Sequence, residues 1–228
     1  MQSKFIQPSI DVLNLRIDEP ITTITDILLG IICFYAFFRI WKLKKGGSAR
    51  AYFLSYFLIL GLGAITGGLL GHAFQYCLAD GWKLVSWTLT LVSVALMVQA
   101  FLGIAATIIR KRIATMITLI NVLAFFLAAF LAFRSIDFAP VKYYAIFGMV
   151  LLCGSLSFLI YQKTGNRAVL VLMGGVGIGF LSAIIFSLQW GLSHWFNHRD
   201  LSHIILCFSV YYVYKGLVMH LNTLINPP

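Results

Sequence analysis

Seven continuous apolar runs, each about 20 residues long, constrain this chain more than any other feature of it. They fall at residues 22–41, 52–78, 83–109, 113–133, 142–161, 168–191 and 201–224. At about 1.5 Å of rise per residue, each suffices to cross a hydrocarbon layer of about 30 Å as a helix. None alternates with the period of two expected of a barrel strand, and inside lipid a helix satisfies all its own backbone hydrogen bonds. The spacers are short, which makes consecutive helices antiparallel neighbours, and no stretch is long or polar enough for a separate soluble domain. The expected fold is therefore all-α: a polytopic membrane protein, a bundle of seven transmembrane helices over residues 22–228. Residues 1–21 precede it as an exposed N-terminal arm. Its charges, Lys4, Asp11, Arg16, Asp18 and Glu19, interrupt any long apolar core, so it does not read as a cleavable signal peptide.

Composition agrees. Hydrophobic residues make up 61% of the chain and charged residues 11%, against roughly 25% charged in a soluble domain; the mean hydropathy is +0.93. The basic residues then set the expected orientation. Arg39, Lys42, Lys44, Lys45, Arg50, Arg110, Lys111, Arg112, Lys163, Arg167 and Lys215 fall on one side. Lys4, Arg16, Lys83, Arg134, Lys142 and Arg199 fall on the other. The richer side is expected to be cytoplasmic, which puts the N-terminus outside and the C-terminus inside. The same placement accounts for the net charge of +10: these charges flank spans and meet anionic lipid head groups, so no nucleic-acid partner is expected. Cys33, Cys77, Cys153 and Cys207 lie within or at the edges of apolar runs, without metal-type spacing, and read as packing residues.

Once the topology is assigned, each ionisable residue acquires a depth. Asp26 lies near the outer start of the first span, and His72 lies near the outer end of the second. The stretch FNHRDLSH, residues 196–203, opens the seventh on the same side. Asp26, His72, His198, Asp200 and His203 are thus expected at one level of the membrane. Ionisable groups are costly there unless they are paired or functional. Capping of the helix starts by Asp26, Asn197 or Asp200 accounts equally well for some of them, and a hydrogen-bonded packing role does so for His72. Gly63, Gly67 and Gly71 form a small-residue stripe beside His72 that lets a neighbouring helix approach closely.

Imidazoles with a carboxylate suit zinc, which in catalytic sites takes three protein ligands and leaves a position open. The expected ligands are His72 and His203 with His198, or with Asp200 in its place. Asp200 and Asp26 are the expected assisting carboxylates, orienting an imidazole or taking part in hydrolysis. His194 reads as part of an interfacial loop with Trp190 and Trp195. His220 lies at the wrong end.

A histidine late in span two and a histidine pair opening span seven of a seven-helix protein resemble the CREST superfamily of membrane hydrolases and receptors, which includes alkaline ceramidases and the progestin and adipoQ receptors. The resemblance implies three histidines holding zinc with a nearby serine and aspartate, and hydrolysis of a lipid amide or ester at the extracytoplasmic end. TDILLG, GGLLGHAF and FNHRDLSHI are also similar to small bacterial membrane proteins, which implies a bacterial inner membrane. The pattern departs from that family in three ways. The last two histidines are five apart rather than four, Gly68 stands where the serine is expected, and residues 81–136 contain no carboxylate.

Other readings fare worse. A retinal Schiff base at Lys215 lacks a counter-ion in spans three and four. GGVGIGF at 174–180 sits inside an apolar span, where it reads as helix packing and not as a dinucleotide loop. Heme ligation wants histidine pairs at matching mid-membrane depth. The chief rival is a non-enzymatic binding, receptor or transport protein with a polar or metal cluster at its outer face. The expected partners are membrane lipids and a lipid-like substrate or ligand.

Overall fold

In a computed structural model of the chain, residues 7–43 and 47–225 are described; Lys4, Lys44 and Lys45, which entered the basic asymmetry, lie outside them. A short hairpin, β1 (Ile10–Val12) and β2 (Leu15–Ile17), comes first and pairs antiparallel. Its turn residues Leu13 and Asn14 both have positive φ, 52° and 63°, the twist that a two-residue hairpin connection requires. Seven helices long and apolar enough to cross a membrane follow: α1 (Pro20–Trp41), α2 (Gly47–Ala73), α3 (Asp80–Thr107), α4 (Lys111–Ser135), α5 (Ala139–Thr164), α6 (Arg167–Leu188) and α7 (His198–Ile225).

The helices α1, α2, α3, α5, α6 and α7 form a closed circuit of neighbours, completed by contact between α7 and α1. Phe53, Phe57, Met97, Phe101, Leu172 and Leu217 fill its middle. The fourth helix packs outside the circuit on α3 and α5, and only 17% of its apolar window is buried. The tightest crossing, α6 on α7, uses the glycine run of span six. A Cβ on Gly175 would lie 2.7 Å from Val213 Cγ2, and Ser209 Oγ donates to Gly175 O at 2.7 Å. Small residues and interhelical hydrogen bonds do this work because lipid gives apolar side chains no reason to leave it.

Two features displace the expected boundaries. The second helix ends at Ala73, not 78, because Gly67–Ala73 winds as a π turn and Gln75–Cys77 as a 3-10 turn. A second π turn, Phe147–Cys153, lies within α5. The arm also differs from a uniformly exposed segment. Leu13 at the hairpin tip is exposed, but Gln7 is buried and Asp18 N–H donates to Ala73 O at 3.0 Å. All four cysteines are free, and Lys215 is exposed, with its ammonium 5.7 Å from the Tyr211 ring centroid.

Candidate functional site

The start of α1 supplies one wall of the site. Pro20 occupies the first helical turn, where its fixed φ and missing N–H cost nothing. Glu19 before it adopts a left-handed conformation, φ 44° and ψ 54°, which a non-glycine residue holds only when its surroundings compensate. Those surroundings are ionic. Glu19 accepts from Arg199 Nη1 at 2.5 and 2.6 Å and from His72 Nδ1 at 2.5 Å. The exposed α1 N–H groups are capped by Gln7, whose Oε1 accepts from Ile21 N (3.1 Å) and Thr22 N (3.3 Å). Asp26 lies seven residues after Glu19, two turns along the same face.

The π turn of α2 supplies the second wall. It sets backbone against α1: Thr23 Oγ1 donates to Gly68 O at 3.2 Å. A Cβ on Gly68 would lie 3.0 Å from Asp26 Cβ and 3.2 Å from Thr23 O. Glycine here is a requirement of close approach. It explains the absence of the serine expected at this position, since any side chain would strike Asp26.

The start of α7 supplies the third. Asn197 Oδ1 accepts from Arg199 N (2.8 Å), while Asp200 Oδ2 reaches back to accept from Asn197 N (2.6 Å), a reciprocal capping box. Asp200 also accepts from Thr22 Oγ1 (2.7 Å) and Gln7 Nε2 (2.8 Å). It is fully buried at 0% exposure, and both its oxygens are committed to joining the arm, α1 and α7. The structure thus gives Asp200 a bridging and capping place at the start of α7. His198 does not line the chamber that His72, His203 and Asp26 border. Its ring packs on Phe186 with centroids 5.4 Å apart, and its Nδ1 is buried without a hydrogen-bond partner.

The remaining three residues do converge. His72 and His203 face each other with ring centroids 6.5 Å apart, and α1 runs between their helices. Asp26 stands between the rings, Oδ2 at 3.8 Å from His72 Nε2 and Oδ1 at 3.4 Å from His203 Nδ1. The tautomers follow from the partners. Thr25 Oγ1 donates its one proton to Thr22 O (3.0 Å), so it accepts from His203 Nδ1–H at 3.2 Å. His72 Nδ1–H donates to Glu19. A ring that is neutral in this tautomer keeps its Nε2 lone pair, and the Nε2 of His72 has a carboxylate oxygen of Asp26 for a neighbour.

These groups open into a chamber of about 1190 Å³. Of the seven carboxylates in the chain, Asp18, Glu19, Asp26 and Asp80 line it, and its deeper wall is apolar, with Leu29, Leu60 and Leu206. Three of the four acids are neutralised: Asp18 by Arg16 at 2.7 Å, Asp80 by Lys83 at 2.9 Å, and Glu19 by Arg199. Burial pushes the Glu19 carboxyl up, but the hydrogen bond and charge of His72, then Arg199, outweigh it and hold the group at about 2. Asp26 is the exception. It is 6% exposed, and its ion-pair contacts among the described residues are to two imidazoles, His72 and His203, and not to a lysine or arginine.

The chemistry of this donor set fits a divalent metal, although among the described residues no group of three His, Cys, Asp or Glu stands at coordination spacing. Two imidazoles on one tetrahedral zinc have centroids about 5 Å apart, so the rings, at 6.5 Å, would close by about an ångström. His72 through Nε2, the His203 imidazole and the Asp26 carboxylate would hold the ion. Glu19 behind His72 and Thr25 behind His203 are the partners that metal-bound imidazoles ordinarily have.

Glu19, Arg199 and Thr25 were not singled out from the sequence. The spacing of Glu19 and Asp26 by seven within one helical start was the available signal. The sequence model of a protein family, Family of unknown function (DUF6962), matches residues 21–221. No curated protein and no solved structure matches the chain.

Proposed function

The chain belongs to this family of unknown function, DUF6962, and from the site's geometry we propose that it is a zinc-dependent intramembrane hydrolase of a lipid amide or ester. In this reading the chamber faces the extracytoplasmic side of a bacterial inner membrane, as the distribution of basic residues favours. The observation that carries the proposal is Asp26: a carboxyl buried between two imidazoles, with no lysine or arginine partner among the described residues. Two imidazoles and a carboxylate are a donor set of the kind that zinc takes.

The chamber wall supports an amphipathic substrate. Its polar rim suits a head group, and Leu29, Leu60 and Leu206 suit the first methylenes of an acyl chain. Zinc at this position supplies Lewis acidity, polarising a carbonyl and acidifying water near neutral pH. The chain's own residues position the donors. Glu19, braced by Arg199, holds the His72 ring by its Nδ1–H, and Thr25 does the same for His203. Asp200 and Gln7 keep the starts of α1 and α7 in register.

Metal analysis of the purified protein tests the proposal. About one equivalent of zinc is expected, lost in His72→Ala, His203→Ala and Asp26→Asn and retained in His198→Ala. A folded wild type that takes up no zinc, or a His198→Ala variant as depleted as His72→Ala, would overturn the assignment.

A further inference from the structure

All seven acids of the chain, Asp11, Asp18, Glu19, Asp26, Asp80, Asp137 and Asp200, lie at the hairpin end of the bundle or in the connections on that side. At the opposite end Arg110, Lys111 and Arg112 precede or open α4, and among the described residues none of them has an acidic partner. A cleft of about 310 Å³ begins there, between α4 and the α2–α3 pair, lined by Tyr52, Gln99, Gly103, Lys111, Thr115 and Thr118 together with apolar neighbours. Thr118 lies seven residues beyond Lys111, about 10 Å further along the helix axis, so polar groups descend from a cationic mouth to hydrocarbon depth. Polar side chains at that depth are expensive unless they are satisfied. Gln99 and Thr118 satisfy each other only weakly, with both contacts at 3.4 Å. The least buried helix of the bundle forms one side of this cleft.

We propose that the cleft binds one anionic phospholipid. Lys111 and the Tyr52 hydroxyl take the phosphate, while the Gln99 amide and Thr118 hydroxyl meet the glycerol ester carbonyls. Its acyl chains follow the apolar face of α4, where Met116 and Leu123 are exposed. The charge of the mouth selects an anionic over a zwitterionic head group, and the polar descent selects a lipid over free phosphate, which has nothing to offer Gln99. This site is independent of the chamber and of any hydrolysis there.

Native mass spectrometry of the detergent-purified full chain, incubated with phosphatidylglycerol or phosphatidylcholine, reads the binding directly. Wild type is expected to retain one phosphatidylglycerol in clear preference to phosphatidylcholine. Lys111→Gln is expected to weaken that retention about fivefold, the effect of one basic residue near a phosphate. Gln99→Leu is expected to weaken it without changing the charge. Lys163→Gln, at the same end but outside the cleft, is expected to leave it unchanged. Equal retention of the two lipids would overturn the proposal, as would a Lys163→Gln loss matching that of Lys111→Gln, which would mark a diffuse charge effect. Complete displacement of the lipid by millimolar inorganic phosphate would also overturn it, by assigning the cleft to the free anion.

Discussion

Replacing Asp26 by asparagine separates stability from metal binding. An ionised carboxylate within hydrocarbon costs about 2.5–3.5 kcal/mol on the insertion scale. Asp26 borders a chamber with polar walls, which reduces the cost to about 1–3 kcal/mol. Among the described residues its ion-pair contacts are to His72 and His203, at 3.8 and 3.4 Å, and no lysine or arginine offsets it. Asparagine has nearly the same volume, removes the charge, and brings an amide N–H that His72 Nε2, 3.8 Å from Oδ2, can accept after a small shift. Metal-free Asp26→Asn is therefore more stable than metal-free wild type. At about 2–4 °C per kcal/mol for a chain of this size, Tm rises by about 2–12 °C. Under the proposed zinc assignment the order is expected to reverse, because a ligand stabilises the folded state by an amount that grows with the logarithm of its concentration over Kd, and only wild type retains the full proposed donor set. The assay is thermal unfolding in detergent by intrinsic fluorescence, with chelator and then with excess zinc. A lower Tm for chelated Asp26→Asn, or an equal zinc-induced rise in both proteins, would refute the reasoning.

Three further outcomes follow from the same contacts. Asp200→Ala removes the acceptor of three buried donors, Thr22 Oγ1, Gln7 Nε2 and Asn197 N; it destabilises the protein by about 3–5 kcal/mol, visible as a Tm loss in chelator, whereas a purely catalytic role leaves Tm unmoved. Gly68→Ala forces a methyl to within 3.0 Å of Asp26 Cβ and 3.2 Å of the Thr23 carbonyl, so it costs about 1–3 kcal/mol and lowers zinc affinity by displacing Asp26, measured by competition with a chelating dye. The Glu19 carboxyl, at about 2 against its ordinary 4.5, contributes stability that is fully present above pH 4.5 and is lost as pH falls toward 2. That contribution is on the order of 2–3 kcal/mol, and the difference in Tm between wild type and Glu19→Gln should shrink across this window and be flat above it.

The site was legible in part. His72, His203 and Asp26 are rare ionisable residues in apolar surroundings, and the energy cost of such placement singles them out without any knowledge of neighbours. His198 and Asp200 carry the same signal, yet one packs on Phe186 and the other caps α7. Rarity cannot tell a ligand from a cap, because both satisfy the same cost. Glu19 lay outside every apolar run and gave no such signal.

The number of long apolar helices and their approximate places in the chain were determined by the sequence alone, since hydropathy sums over consecutive residues and any run of about 20 apolar residues can span a bilayer whatever its neighbours. The direction each side chain faces was decided only in three dimensions. The π turn at Gly67–Ala73 contains His72, and its wider winding turns that side chain away from its ideal α-helical bearing. That turn is held by contact with α1, through Thr23 and the space left at Gly68. Azimuth, unlike hydropathy, depends on what the helix packs against, and that partner lies more than forty residues away in the chain.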